Sequence, residues 1–174
     1  MGTLFVSARG LVLGLAWLLA TLGPAPLAAQ DGNARSVGPS GLPLPRFASL
    51  AAREVNVRTG PSFDHPIRWV YSRPGLPVRI VEESDVWRRI EDPDGETGWA
   101  HSSLLSVQRM VLVRSGQVQD LRRSADEDGR VVARLEPGVI AALQGCSGDW
   151  CRVEVADERG WLPRSAIWGV ADAE

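Results

Sequence analysis

The fold of this chain is decided by four short landmarks in its first half: Asn56–Thr59 (NVRT), Pro74-Gly75, Trp87–Ile90 (WRRI) and Gly98-Trp99. The same landmarks recur in the same order 62 to 64 residues later: Asp120–Arg123 (DLRR), Pro137-Gly138, Trp150–Val153 (WCRV) and Gly160-Trp161. Two of the four matches place a Trp, although the chain has only seven. We infer an internal repeat, in which two copies of one small unit follow each other.

Each copy has the pattern of short β-strands. In both copies, brief segments rich in β-branched and aromatic residues alternate with charged or Gly-containing turns. These segments are 78–81, 86–90 and 97–100 in the first copy and 139–143, 150–155 and 160–162 in the second. After residue 46, no apolar stripe keeps helical spacing for three turns, so the sequence predicts an all-β protein. Single helical turns are expected at most at Ser102-Ser103 and Arg164-Ser165.

The opening of the first copy resembles a known family. Val55–Ser62 (VNVRTGPS), followed by a Pro-Gly turn, a turn with Trp and a Gly-Trp pair, is similar to the signature of bacterial Src-homology-3-like (SH3b-type) domains. The resemblance implies two tandem five-stranded barrels, at 47–107 and 108–170. The second copy departs from the signature at Arg123–Ala125, which leaves the shape of that loop open. The ending Ala166–Gly169 (AIWG), with a nearby Cys pair, further resembles a tandem periplasmic branch without an assigned function.

The first 29 residues have the pattern of a signal peptide. One Arg precedes an apolar run of 13 residues, Gly10–Leu22, and Gly23 and Pro24 then break the helix before the small residues Ala28-Ala29. An uncleaved membrane anchor is the alternative, but a spanning helix requires about 20 apolar residues. No later segment is long enough to span a membrane. We therefore expect a periplasmic or secreted protein.

Residues 30–46 are rich in Gly, Pro and Ser and show no apolar periodicity. This composition predicts a flexible linker between the signal peptide and the first barrel.

Cys146 and Cys151 are the two cysteines of the chain. An exported chain meets an oxidising compartment, and four residues including Gly148 suit a tight hairpin that places the two thiols side by side. We predict a structural disulfide, and closing so small a loop contributes about 2 kcal/mol. A redox dithiol is the alternative, but the spacing is not Cys-x-x-Cys and no helix N-terminus lies nearby to lower a thiol pKa.

Large aromatic and basic side chains are the candidate ligand contacts. The Trp residues that recur in both copies are expected in the cores, since a large ring fills a small barrel. The candidate ligand contacts are therefore other residues. They are Trp69, Tyr71 and Trp168, which have no partner in the repeat, and Arg58 and Arg122, which are equivalent to each other. A core role for these aromatic residues and a loop-capping role for the two Arg are the alternatives.

Charge and composition exclude several classes of function. The basic residues are all Arg, they are interleaved with Asp and Glu, and the net charge is −2, so nucleic acid is not an expected partner. Both His residues, His65 and His101, lie in the first copy, and the acidic residues cluster at turns. No catalytic set, cofactor motif or metal site is predicted, because the Cys pair of a conceivable zinc site is expected to be bonded to itself.

The sequence therefore predicts a non-catalytic binding or scaffolding module of the bacterial cell envelope. Two kinds of partner stay open: peptidoglycan or its stem peptide, which the resemblance implies, and an envelope protein. An accessory or inhibitory subunit of an exported cell-wall enzyme is the alternative function.

Overall fold

The computed structural model describes residue 2 and residues 36–114 and 116–171. Apart from residue 2, the predicted signal peptide lies outside this part of the chain, as do residues 30–35 of the predicted linker. Among the described residues, no helix is long and apolar enough to cross a membrane.

The repeat forms two antiparallel sheets of seven strands each. The first sheet comprises β3 (Arg46–Leu50), β4 (Val55–Arg58), β5 (Ile67–Tyr71), β6 (Pro77–Ser84), β7 (Trp87–Glu91), β8 (Thr97–His101) and β9 (Leu105–Ser106). The second comprises β10 (Met110–Val113), β11 (Gln119–Arg122), β12 (Val131–Leu135), β13 (Ile140–Ser147), β14 (Trp150–Val155), β15 (Glu158–Pro163) and β16 (Ile167–Trp168). Each sheet exceeds the expected five strands because the long connection after its first strand pairs with itself, as β4–β5 and β11–β12.

Both sheets bend at equivalent places. The register shifts between Val57 and Arg58 and again between Ile80 and Glu82, and matching shifts occur at Leu121–Arg122 and Leu143–Gly145. Such bulges increase strand twist, which lets a short sheet wrap around its own core. A 3₁₀ turn at Ser102–Leu104 or Arg164–Ala166 then leads into the last strand. The all-β expectation, with single helical turns near residues 102 and 164, is confirmed.

Each sheet encloses a separate aliphatic core. The first core contains Leu44, Ala48, Leu50, Val55, Val57, Leu76, Val78, Ile80, Ile90 and Ala100. The second contains Val111, Val113, Leu121, Leu135, Ala141, Cys151, Val153, Leu162 and Ile167.

The recurring Trp residues do not fill these cores, contrary to expectation. Trp99 follows the buried Gly98 and precedes the buried Ala100, so strand alternation turns its ring to the opposite face. A Cβ on Gly98 would clash with Val57, which shows how closely the strands approach there. Of the recurring Trp residues, Trp87 alone is buried, and it packs outside the aliphatic cluster.

The described part of the predicted linker is ordered. Strands β1 (Ser36–Val37) and β2 (Pro43–Leu44) pair as a hairpin, here called the N-terminal hairpin. Leu44 is 6% exposed and belongs to the first core. The expectation of a flexible segment up to residue 46 thus differs from the structure, because a Leu at the end of the hairpin buries its side chain in the barrel.

The two barrels pack directly against each other. The Phe47 and Trp168 rings meet edge to face at 5.0 Å, and the guanidinium of Arg109 lies 5.8 Å from the Phe47 centroid. Arg73 donates a 2.7 Å hydrogen bond across the junction to the Gly138 carbonyl. These contacts hold the barrels in a defined arrangement.

Candidate functional site

Arg58 and Arg122 hold equivalent loops in the two barrels. Nη1 of Arg58 donates to the carbonyls of Phe63 and His65 at 3.1 and 2.7 Å. Nη1 of Arg122 donates to the Gly129 carbonyl at 2.9 Å. Arg58 therefore caps the turn between β4 and β5, and Arg122 caps the turn between β11 and β12, by binding main-chain carbonyls.

In the first barrel this turn carries an exposed aromatic residue. Phe63 is 69% exposed, and its ring lies 5.0 Å from the Trp87 ring and 5.7 Å from the His101 ring, centroid to centroid. Trp87 and His101 are cross-strand partners whose rings meet at 5.5 Å. The Arg58 guanidinium lies over the Phe63 ring, 5.5 Å from its centroid. We call Phe63, Trp87, His101 and Arg58 the aromatic end.

The same place in the second barrel has different chemistry. The cross-strand partner of Trp150 is Pro163 instead of a His, and Glu127 stands where the repeat has Phe63. These residues line a cavity of about 590 Å³ together with Asp149 and Arg164. The two barrels therefore present an aromatic surface in one case and a charged one in the other.

Trp69 and Tyr71 lie side by side on the edge strand β5, with ring centroids 6.0 Å apart. The Tyr71 hydroxyl donates a 2.5 Å hydrogen bond to Asp92, whose other oxygen accepts the N–H groups of Asp94 and Glu96. Burial first, and then this bond to Asp92, raise the pKa of Tyr71. The hydroxyl thus stabilises the turn between β7 and β8.

Trp168 lies away from these residues, at the junction of the barrels. Its ring packs against Phe47 and lines a cleft of about 410 Å³ that also contacts Arg73 and Arg114. The five predicted ligand contacts are thus spread over separate places: Arg58 belongs to the aromatic end, Trp69 and Tyr71 to an edge strand, Arg122 to the second barrel and Trp168 to the junction.

Cys146 and Cys151 form the predicted disulfide. They are directly opposed across β13 and β14, where the register pairs Cys146 with Cys151. The equivalent opposed pair in the first barrel is Glu83 and Arg88, on β6 and β7. An ion pair thus occupies in one barrel the position that a covalent bond occupies in the other.

The Glu83 carboxylate is fully buried and has several donors. Its Oε1 lies 2.5 Å from Arg46 Nη2, 3.1 Å from Arg88 Nε and 2.8 Å from the Ser40 hydroxyl. Its Oε2 accepts the Ser40 backbone N–H at 2.9 Å. Burial alone raises the pKa of Glu83, but the Ser40 N–H, the Arg46 guanidinium and the Ser40 hydroxyl together lower it to about 2. Glu83 is therefore ionised when it anchors the N-terminal hairpin.

The two His residues are held separately from the acidic residues. His101 Nδ1 lies 2.8 Å from the Ser103 hydroxyl, and no hydrogen bond or ion pair joins His65 or His101 to a carboxylate in the described ranges. No cluster of three or more His, Cys, Asp or Glu suited to a metal occurs among residues 36–114 and 116–171.

The fold and these surfaces define a tandem SH3-like protein. The family model described as "Bacterial SH3 domain" matches residues 51–106 and 115–169, more than half of the chain, and the chain belongs to that family.

A curated relative and two solved structures are also similar to this chain. A protein named as an N-acetylmuramoyl-L-alanine amidase, YrvJ of Bacillus subtilis strain 168, is 26% identical over 125 residues, which cover 66% of this chain. The chain spans only 24% of that protein. The structures of NlpC2 and NlpC1 from Trichomonas vaginalis cover 71% of this chain, at 8% and 10% identity and TM-scores of 0.33. The matches span 48% and 45% of those two chains.

Sequence reasoning missed Phe63 and Glu83. Phe63 follows the Gly-Pro-Ser turn in a segment without alternation, and its only signal is a large apolar residue among turn residues. Glu83 resembled a solvated turn residue because its partners Ser40 and Arg46 are 43 and 37 residues away.

Proposed function

We propose that this chain is an exported, non-catalytic module that binds peptidoglycan in the bacterial cell envelope, in the periplasm or outside the cell. The observation that carries the proposal is the aromatic end, where Phe63 remains 69% exposed although it contacts two other rings. Exposed apolar patches on a protein surface often mark binding sites, and aromatic rings supply a large contact area there. The predicted signal peptide and the disulfide support export.

Two further observations support the choice of ligand. The family match is to a binding domain, and a relative of this chain is named as an amidase that acts on a muramoyl-alanine bond. The aromatic end offers flat apolar faces together with the Arg58 guanidinium, which suits a ligand that has both sugar rings and carboxylates.

Sedimentation with purified sacculi tests the proposal. The wild-type chain is expected to pellet with sacculi at low salt. Phe63→Ala is expected to weaken binding by about tenfold or more, because truncating a hot-spot aromatic residue costs about 2 kcal/mol or more and a tenfold change corresponds to about 1.4 kcal/mol. Val118→Ala is the matched control, since Val118 is 53% exposed on the other barrel. A wild-type chain that stays in the supernatant, or a Phe63→Ala variant that binds like wild type, refutes the proposal.

A protein partner, such as an exported cell-wall enzyme that this chain accompanies or inhibits, is the second candidate. It is favoured by β5, which forms one end of the first sheet and exposes Ile67 and Val70 by 47% each. The outer edge of such a strand accepts an extended segment of a partner. Cross-linking in the native envelope tests it: a covalent adduct to one envelope protein through β5, lost in Val70→Lys, supports it, and adducts to sacculi alone refute it.

A further inference from the structure

A groove lies between the N-terminal hairpin and the first barrel. Its cavity is about 300 Å³, with Ile80 and Leu105 on the barrel side and Leu42 on the hairpin side. Leu42 and Val107 are 46% and 90% exposed at its borders. We call this cavity the hairpin groove. It does not include Phe63, Trp87 or Arg58, so it is separate from the aromatic end.

One wall of the groove is fixed by a buried anchor. The hairpin turn residue Ser40 gives both its backbone N–H and its hydroxyl to Glu83, at 2.9 and 2.8 Å. Arg46, which follows the hairpin, binds the same carboxylate. Because Leu42 lies between Ser40 and Arg46, these bonds hold it in place over the barrel. The groove is thus preformed, which reduces the entropy cost of binding.

The charges on the groove are unbalanced. Arg46 and Arg88 line it, whereas no carboxylate does. Their shared partner Glu83 is fully buried behind them and supplies a single negative charge, so a net positive charge remains. Nε of Arg46 and Nη2 of Arg88 donate no hydrogen bond to a described residue, and neither is among the buried unpaired atoms. The side chains of Arg46 and Arg88 are 18% and 14% exposed, and these two nitrogens are the ones left to pair with an anion.

We propose that the hairpin groove binds the free carboxyl end of a peptide whose last side chain is aliphatic and no larger than that of leucine. The apolar surface of Ile80, Leu105 and Leu42 would receive the side chain, and the surplus guanidinium charge of Arg46 and Arg88 would pair with the carboxylate. Arg46 Nε and Arg88 Nη2 would each donate to the carboxylate, and such charge-assisted hydrogen bonds are stronger than those between neutral groups. A cavity of about 300 Å³ has room for one such residue.

At the equivalent place the second barrel has a cavity of about 310 Å³, lined by Arg109, Leu143 and Cys146, but a second arginine is missing from its lining. Cys146 and Cys151 replace Glu83 and Arg88, and among the described residues no hairpin precedes that barrel in the position of β1 and β2. The proposal therefore assigns carboxyl-end recognition to the first barrel alone.

Titration with a matched pair of peptides tests the proposal. The probes are acetyl-Ala-Ala-Leu with a free carboxyl end and the same peptide as its C-terminal amide, added to the full exported chain and followed by calorimetry and methyl NMR. The acid is expected to bind with shifts at Ile80 and Leu105, and the amide at least about tenfold more weakly. Equal affinities for the two peptides overturn the proposal. Tighter binding of octanoate, a fatty acid without a peptide, than of the free-acid peptide also overturns it.

A substitution of Leu42, on the hairpin side of the groove, supplies the second measurement. Leu42→Asp places a negative charge beside the carboxylate site without removing a buried group, and it is expected to weaken acid binding about tenfold or more. Val118→Asp is the control because Val118 is similarly exposed on the other barrel. Unchanged binding in Leu42→Asp refutes the site. The Phe63→Ala variant separates this proposal from the peptidoglycan proposal. If the variant no longer binds sacculi but still binds the free-acid peptide, the two sites are distinct.

Discussion

The substitution Glu83→Gln tests whether a buried charge holds the N-terminal hairpin to the first barrel. Gln has the shape of a protonated Glu, so the change in unfolding free energy approximates the energy gained on ionisation in the folded chain. A pKa of about 2, against an ordinary value of 4.5, corresponds to about 3 kcal/mol at about 1.4 kcal/mol per tenfold change in proton affinity. We expect Glu83→Gln to lower the unfolding free energy by about this amount at pH 7.

The pH dependence gives the prediction a distinct signature. Because the folded pKa of Glu83 lies below the unfolded one, its contribution is complete above about pH 4.5 and is lost as the pH falls toward 2. The difference between wild type and Glu83→Gln should therefore shrink over this range, whereas other carboxylates affect both proteins alike.

Urea unfolding followed by Trp fluorescence, from pH 7 down to the lowest pH at which the wild type folds, measures the difference. Glu82→Gln is the matched control: Glu82 is 54% exposed and pairs with Arg89 at 3.3 Å, and such a surface pair contributes less than about 1 kcal/mol. A loss below about 1 kcal/mol for Glu83→Gln, or a difference that is constant with pH, would refute the assigned role of the buried carboxylate.

Three further perturbations follow from the same contacts. Replacing Cys146 and Cys151 together by Ala should lower the unfolding free energy by about 2 kcal/mol, measured by urea unfolding, and an unchanged midpoint contradicts this. The double substitution Glu83→Cys with Arg88→Cys should form a second disulfide, since that pair is opposed in the same way as Cys146 and Cys151; intact-mass analysis after alkylation should find no free thiol, and two alkylated thiols refute it. Trp168→Ala removes the edge-to-face contact with Phe47, which contributes about 1 kcal/mol to the packing of the two barrels. Calorimetry is expected to show two unfolding transitions for this variant and one for the wild type. A single transition at the wild-type temperature contradicts a stabilising junction.

Much of the fold can be predicted from the sequence because strands and turns are local. The brief β-rich segments, the Pro-Gly turns and the recurring Gly-Trp pairs each act over a few residues, and the structure reproduces the all-β repeat that they indicate. The disulfide was predictable for the same reason, because its two Cys lie five positions apart in one hairpin. The outward orientation of Trp99 was not predictable, because whether a ring faces inward depends on the register that places the buried Gly98 against Val57.

The candidate sites depend on contacts that the sequence does not display. Composition and repeat alone determined the tandem β-architecture, the family resemblance and the hairpin disulfide. Only the tertiary structure decided that Phe63 joins Trp87 and His101, and that Glu83 is buried under Ser40. The physical reason is range: local preferences act between neighbours, whereas the hydrogen bond from Ser40 to Glu83 joins residues 43 positions apart, and a charged residue on a turn becomes an anchor only when the folded chain brings it a partner.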